Sequence, residues 1–180
     1  DILDGISAAI RYELGPVKLN CVVQRGVNEH QIPKLVRKFR GTGVIVRFIE
    51  FMDVGSTNGW TQGQVVPTSE IIDFLSSEFD LIPLERKSAS DVASRWAHSD
   101  GSGEIGFISS VSQPFCGDCV RARLSSDGKF FTCLFTTNGH DMSALIRSGG
   151  GTEGLTQSIE EVWSARKDRY SEERSSGAIS

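Results

Sequence analysis

The chain has 180 residues, 38% of them hydrophobic and 23% charged; this is enough apolar material for a packed core and too much for a disordered segment. Its net charge of −4 excludes bulk electrostatic binding of nucleic acid or an anionic membrane, while a local basic site can still hold a small anion. No apolar run approaches the roughly 20 residues that span a bilayer, and no basic start leads into an apolar leader region, so a cytoplasmic setting is expected.

The chain opens at Asp1 on a pattern that is already helical. Ile2, Leu3, Ile6, Ala9, Ile10 and Leu14 recur at helical spacing, as in a piece of a longer protein. Gly15-Pro16 ends this helix. Residues 17–23 are β-rich and mostly apolar, as a strand buried on both faces would be. Asn28, with Gln31 in the capping-box position, predicts a helix whose face is Ile32, Leu35, Val36 and Phe39 and which Gly41 stops. Residues 44–52 predict a second buried strand. Thr68 then opens a helix with the stripe Ile71, Ile72, Leu75 and Phe79. Strands that each lead into a helix imply a parallel sheet with right-handed crossovers. Too few strands are present to close a barrel, which leaves a small open sheet or the last units of a (β/α) barrel.

From residue 85 the pattern changes. Residues 87–103 are polar and Ser-rich and read as a long connection, and 104–111 read as a short strand. Beyond the cysteines, Asp141 starts a short helix to Arg147, Gly149-Gly150-Gly151 is a flexible break, and 156–167 is a helix burying Ile159, Val162 and Trp163. The expected organisation is 1–84 for the β/α units, 85–170 for a C-terminal region, and 171–180 for a disordered tail.

Cys116, Cys119 and Cys133 stand in the run C-G-D-C-V-R-A-R-L-S-S-D-G-K-F-F-T-C. The C-x-x-C turn points two sulfurs at one centre, and Gly117 tolerates that turn. Residues 121–124 and 129–133 read as strands joined at Ser125-Ser126-Asp127-Gly128, a hairpin that returns Cys133 beside the C-x-x-C. A structural zinc wants four protein ligands, the fourth being His140 or His98. A four-iron cluster on three cysteines keeps one iron open to a substrate. A redox dithiol of Cys116 and Cys119 leaves Cys133 unexplained, and three unliganded cysteines are the bland alternative. Arg121 and Arg123, alternate residues of a predicted strand, share one face. Guanidinium groups suit phosphate, carboxylate or the acceptor edge of a purine; solvated arginines, or arginines balancing thiolate charge, are the competing readings. Cys21, alone in its strand, reads as buried and structural. Lys18, Arg47 and Met52 are pocket candidates on strands of a fold that binds ligands at strand ends, against a snorkelling lysine and a core methionine.

Three stretches carry a resemblance: GPVKLNCVVQRGVN at 15–28, VRFIEFMDVG at 46–55, and FCGDCVRARL at 115–124 with CLF at 133–135. In this order and spacing they resemble the MoaA family, the radical-SAM GTP 3′,8-cyclases of molybdenum cofactor biosynthesis, over nearly the whole chain. The resemblance implies a lyase with an incomplete (β/α) TIM-type barrel, closed by a C-terminal cysteine-rich hairpin and helical extension. It also implies two [4Fe-4S] clusters. The family's first cluster cleaves S-adenosylmethionine to a 5′-deoxyadenosyl radical that takes hydrogen from C3′ of GTP, and C3′ then adds to C8 of the guanine. The second cluster binds the guanine through its open iron.

By match to the family motifs, Cys116, Cys119 and Cys133 ligate the second cluster. Lys18, Arg121, Ala122 and Arg123 bind GTP, Arg47 is a further GTP candidate, and Met52 contacts S-adenosylmethionine. The implied partners are GTP, S-adenosylmethionine, the next enzyme of the molybdopterin pathway by handover and, for a half barrel with bare strand edges, a second copy of the chain. Two departures stand out. The family's C-x-x-x-C-x-x-C motif has no counterpart here, and the chain ends Gly177-Ala-Ile-Ser180 rather than Gly-Gly. The expectation is a C-terminal half that is inactive by itself.

Overall fold

The computed structural model describes residues 1–54, 59–88 and 90–175, so Gly55 of the second motif and residues 176–180 of the expected tail lie outside the described residues. The chain forms two compact units, Asp1–Asp53 with Gly59–Phe115, and a second made of Val54–Asn58 with Cys116–Ser180. The division falls after Phe115 rather than at residue 84, because strands beyond residue 84 join the first unit's sheet.

In the first unit, Asp1 caps α1 (Ile2–Arg11), its carboxylate accepting from the Leu3 N–H at 2.9 Å. Then come β1 (Lys18–Val23), α2 (Ile32–Phe39), β2 (Ile45–Glu50), α3 (Thr68–Ser76), β3 (Leu81–Leu84), β4 (Ser94–His98) and β5 (Glu104–Ile108). The sheet order is β1-β2-β5-β4-β3. β1, β2 and β5 are parallel, while β4 and β3 run antiparallel to their neighbours. The parallel β/α pattern read from the sequence therefore describes one side of a mixed sheet. The stretch read as a long polar connection supplies β4, whose Trp96 and His98 alternate inward behind a polar exterior.

Asn28 does not cap a helix. Its side chain accepts from the Gln24 N–H at 2.9 Å and donates to the Val22 carbonyl at 2.8 Å, pinning the exit of β1. A single 3₁₀ turn, Glu29–Gln31, separates it from α2.

The core lies on one face of the sheet. Val23, Val46, Phe48, Ile105 and Phe107 meet Ile32, Val36 and Phe39 of α2 and Ile71 and Leu75 of α3. Phe48 and Phe107 are each 1% exposed, and Trp96 meets Phe107 edge-on with centroids 6.4 Å apart. Each such ring contributes about 1.5–3 kcal/mol by leaving water. β1 is not buried on both faces, as its composition suggests. Leu19, Cys21 and Val23 turn to the core, while Lys18, Asn20 and Val22 are exposed.

The second unit contains β6 (Arg123–Leu124), β7 (Lys129–Phe131), β8 (His140–Asp141), α4 (Met142–Arg147), α5 (Gly151–Ser164) and α6 (Tyr170–Ser175). The strands form one sheet in that order. Asp141 caps α4 as the sequence suggests, accepting from the Ala144 N–H at 2.9 Å. The triple glycine stands where the sequence puts a break, with Gly149 and Gly150 between α4 and α5. It delivers the chain into α5, which begins at Gly151 and ends at Ser164, earlier at both ends than the apolar pattern implies. Part of the expected tail is α6, because Tyr170 stacks on Phe135 with centroids 4.4 Å apart and Arg174 lies 5.4 Å above the Phe135 ring. Among the described residues no helix is long and apolar enough to cross a membrane.

His98, 4% exposed, packs edge-on against Phe79 at 5.6 Å. Burial first, then the charge of Arg40, holds its imidazole below the ordinary 6.5, with Asp100 pulling the other way. The fold thus accepts the neutral ring, and stability is complete above that pH and falls as the unfolded chain takes up the proton below it. The urea midpoint is expected to drop between about pH 7 and pH 5, and His98→Leu should flatten that part of the profile. An equal drop in the variant would remove His98 as the cause.

Candidate functional site

The candidate residues fall into two sets, one in each unit. In the first unit, β1 and β2 pair so that Lys18 lies beside Ile45 and Asn20 beside Arg47. Lys18, Asn20 and Arg47 therefore share the face turned away from the core. The Arg47 Nε is buried and has no hydrogen-bond acceptor. Met52 is half-buried just past the end of β2, and the Trp60 indole N–H donates to the neighbouring Phe51 carbonyl at 2.9 Å. Cys21 faces the core, where burial pushes its thiol up, as the structural reading requires.

The end of β2 is held by Glu50, which is 0% exposed. Its Oε1 accepts from the Thr68 N–H at 2.8 Å and from the Ser112 hydroxyl. Its Oε2 accepts from the N–H groups of Val111 and Ser112 at 2.8 and 2.7 Å. The Ser110 hydroxyl donates to the Glu50 carbonyl at 3.1 Å. One carboxylate thus fixes the ends of β2 and β5 and the start of α3.

In the second unit, Cys116 and Cys119 lie on a turn in which the Cys119 N–H donates to the Cys116 carbonyl at 3.2 Å. The Arg121 guanidinium donates to the Cys119 sulfur at 3.5 Å. Burial pushes the Cys119 thiol up, but the Arg121 N–H and guanidinium, with the charge of Arg166, more than offset this and leave it below the ordinary thiol value. Arg121 and Ala122 are exposed and precede β6, so only Arg123 of the pair is on a strand. Cys133 follows β7 and lines a cavity of about 480 Å³ with Phe135, Asp168 and Tyr170.

All four thiols are free. Among the described residues no three His, Cys, Asp or Glu side chains are gathered as a metal site. The donor set still suits an iron–sulfur cluster chemically: three half-buried thiols, one of them shifted toward thiolate by neighbouring cations. His98 belongs to the first unit's core, and His140 is exposed on β8.

A family profile described as Molybdenum Cofactor Synthesis C matches residues 44–172. The chain belongs to this family. A protein named GTP 3′,8-cyclase from Xanthomonas axonopodis pv. citri is 50% identical over 97% of the chain and 52% of its own length. Proteins of the same name from Acidothermus cellulolyticus and Staphylococcus haemolyticus are 45% and 43% identical, over 97% and 99% of the chain and 49% and 52% of their own lengths. The chain thus spans about half the length of these curated relatives. The Molybdenum Cofactor Synthesis C match takes in Arg47, Met52, Cys116, Cys119 and Cys133, and Lys18 lies before it.

Two residues at the C-x-x-C escaped the sequence reading. Arg166 donates to the Cys116 carbonyl at 3.3 Å, and Glu172 accepts from the Gly117 N–H at 3.3 Å. The cation-rich run 166–169 at the end of the helix pattern was the available signal. Glu50 escaped as well. A lone acid inside an apolar strand was its signal, since buried acids need partners. Glu50→Gln keeps the shape but turns an NH₂ toward backbone N–H donors in either orientation. It is expected to cost about 1–3 kcal/mol, read as a lower urea midpoint with an unchanged slope; a midpoint equal to wild type would show that the clamp is not stabilising.

Proposed function

We propose that this chain is the GTP-binding half of a GTP 3′,8-cyclase, acting in the first step of molybdenum cofactor synthesis. The observation that carries the reading is the conjunction of three free cysteines with flanking arginines on a chain similar to proteins of that name. In this reading Cys116, Cys119 and Cys133 hold a [4Fe-4S] cluster, and the fold is the end of a partial (β/α) barrel with its C-terminal extension. When bound, the cluster supplies an open iron as a Lewis acid toward the guanine. The protein's own groups do the rest. Arg121, Ala122 and Arg123 line the purine side, with Arg121 also balancing thiolate charge. Lys18 and Arg47 present cations on one sheet face to the triphosphate. Met52, just past the end of β2, contacts S-adenosylmethionine. The radical-generating cluster belongs to a C-x-x-x-C-x-x-C motif that this sequence does not contain, so the chain alone forms no cyclised product.

The test is iron and sulfide analysis of the chain after anaerobic reconstitution, with absorption spectra before and after GTP. About four irons and four sulfides per chain are expected, with a spectrum that GTP perturbs. Cys133→Ser should lower the iron content, and Arg121→Ala with Arg123→Ala should weaken the GTP response by on the order of tenfold or more. One zinc per chain, lost on His140→Ala and indifferent to GTP, would replace this reading with a structural metal module.

A further inference from the structure

We infer that Gly106 is a positioning residue for Arg47: the absence of a side chain at 106 leaves the space over β5 in which the Arg47 stem lies, and this sets where its guanidinium meets the phosphates of GTP. The inference rests on the reading above and adds a residue to it.

Register defines the geometry. Asn20, Arg47, Gly106 and Arg95 form one row across β1, β2, β5 and β4, on the face turned away from the core. Gly106 therefore stands between two arginines. A Cβ built there would meet the Arg47 Cγ at 2.9 Å and the Ala93 Cβ at 3.6 Å. The close atom belongs to the stem of Arg47, near its own backbone, so swinging the far end of the side chain does not relieve the contact. Arg47 would have to leave its rotamer. Gly106 is not among the glycines with positive φ, so the requirement here is for space and not for a left-handed backbone.

The two arginines of the row are not equivalent. Arg95 donates to Glu104 at 2.7, 2.9 and 3.1 Å, and its charge is matched within the sheet. Arg47 forms no ion pair among the described residues, and its buried Nε lacks an acceptor. A guanidinium held in place with donors unused is suited to a planar or tetrahedral oxyanion, which accepts two parallel hydrogen bonds. A polyphosphate supplies such oxygens, and Lys18 on the same face adds a second cation.

The test is calorimetric titration of the intact chain with GTP and with inorganic triphosphate, using wild type, Gly106→Ala, Arg47→Ala and the double variant. Gly106→Ala is expected to weaken triphosphate binding by on the order of tenfold, and Arg47→Ala by at least as much. The double variant should bind no more weakly than Arg47→Ala alone, because the glycine acts only through the arginine. Wild-type affinity in Gly106→Ala would overturn the inference and leave the GTP reading standing, as would fully additive losses in the double variant. No binding of either ligand by wild type would overturn both. If circular dichroism shows that Gly106→Ala is unfolded, the double variant, which lacks the Arg47 Cγ, should fold again; an unfolded double variant would count against the inference.

Discussion

A carboxylate out of contact with water must be surrounded by donors, and the donors around Glu50 come from two distant stretches of the chain. Thr68, Val111 and Ser112 each commit a backbone N–H to it. These groups would otherwise be orphans at strand and helix ends, where the regular ladders run out. A single buried side chain therefore satisfies the ends of β2, β5 and α3 together. Charge-assisted bonds of this kind are stronger than neutral ones, and losing the acceptor would strand several donors at once. Phe51 and Met52 leave β2 directly from this anchor, so whatever Met52 touches inherits the stiffness of the clamp.

The sheet divides the labour of the first unit between its faces. One face is hydrocarbon, closed over by α2 and α3, and its Phe48–Phe107 stack supplies cohesion. The other carries Lys18, Asn20, Arg47, Arg95 and Glu104. Alternation along each strand makes this inevitable once the core side is chosen, since a slip of one residue would drive Arg47 into the core and Phe48 out of it. In the second unit the C-x-x-C turn is gripped by Arg166, just past the end of α5, and by Glu172 of α6. The helices that the apolar pattern extends beyond or misses thus end or begin where cations and carboxylates meet that turn.

The sequence was most legible where periodicity and chemistry agreed. The face of Ile32, Val36 and Phe39, and that of Ile71 and Leu75, named the helices that cover the sheet. Legibility failed where a residue's partners are remote in sequence. β4 reads as polar loop because only Trp96 and His98 point inward, and their partners lie on other elements. Asn28 has the right neighbours for a cap, yet its amide finds two backbone partners first, Val22 on β1 and Gln24 just past it. α6 carries too little apolar surface to announce itself and is held by the rings of Phe135 and Tyr170. The cysteine motif announced a donor set. The turn at Ser125–Gly128 joins β6 to β7 as the sequence suggests, although β6 starts at Arg123 rather than at Arg121.

The position of β5 between β2 and β4 also orders events during folding. β4 and β5 are antiparallel neighbours joined by a short turn, so they can pair early. β2 gains its second partner only when β5 arrives, and the contact that seals this junction, from Glu50 to the Val111 N–H, closes a loop of 61 residues. Loop-closure entropy delays such a contact relative to hairpins and helices. The free edge of β2 is therefore exposed for as long as β5 is missing, a span set by the rate at which the intervening chain is made and ordered. A ribosome that pauses between residues 50 and 104 holds the protein with an apolar parallel strand unpaired on one side, which is the state in which it is most open to wrong pairing.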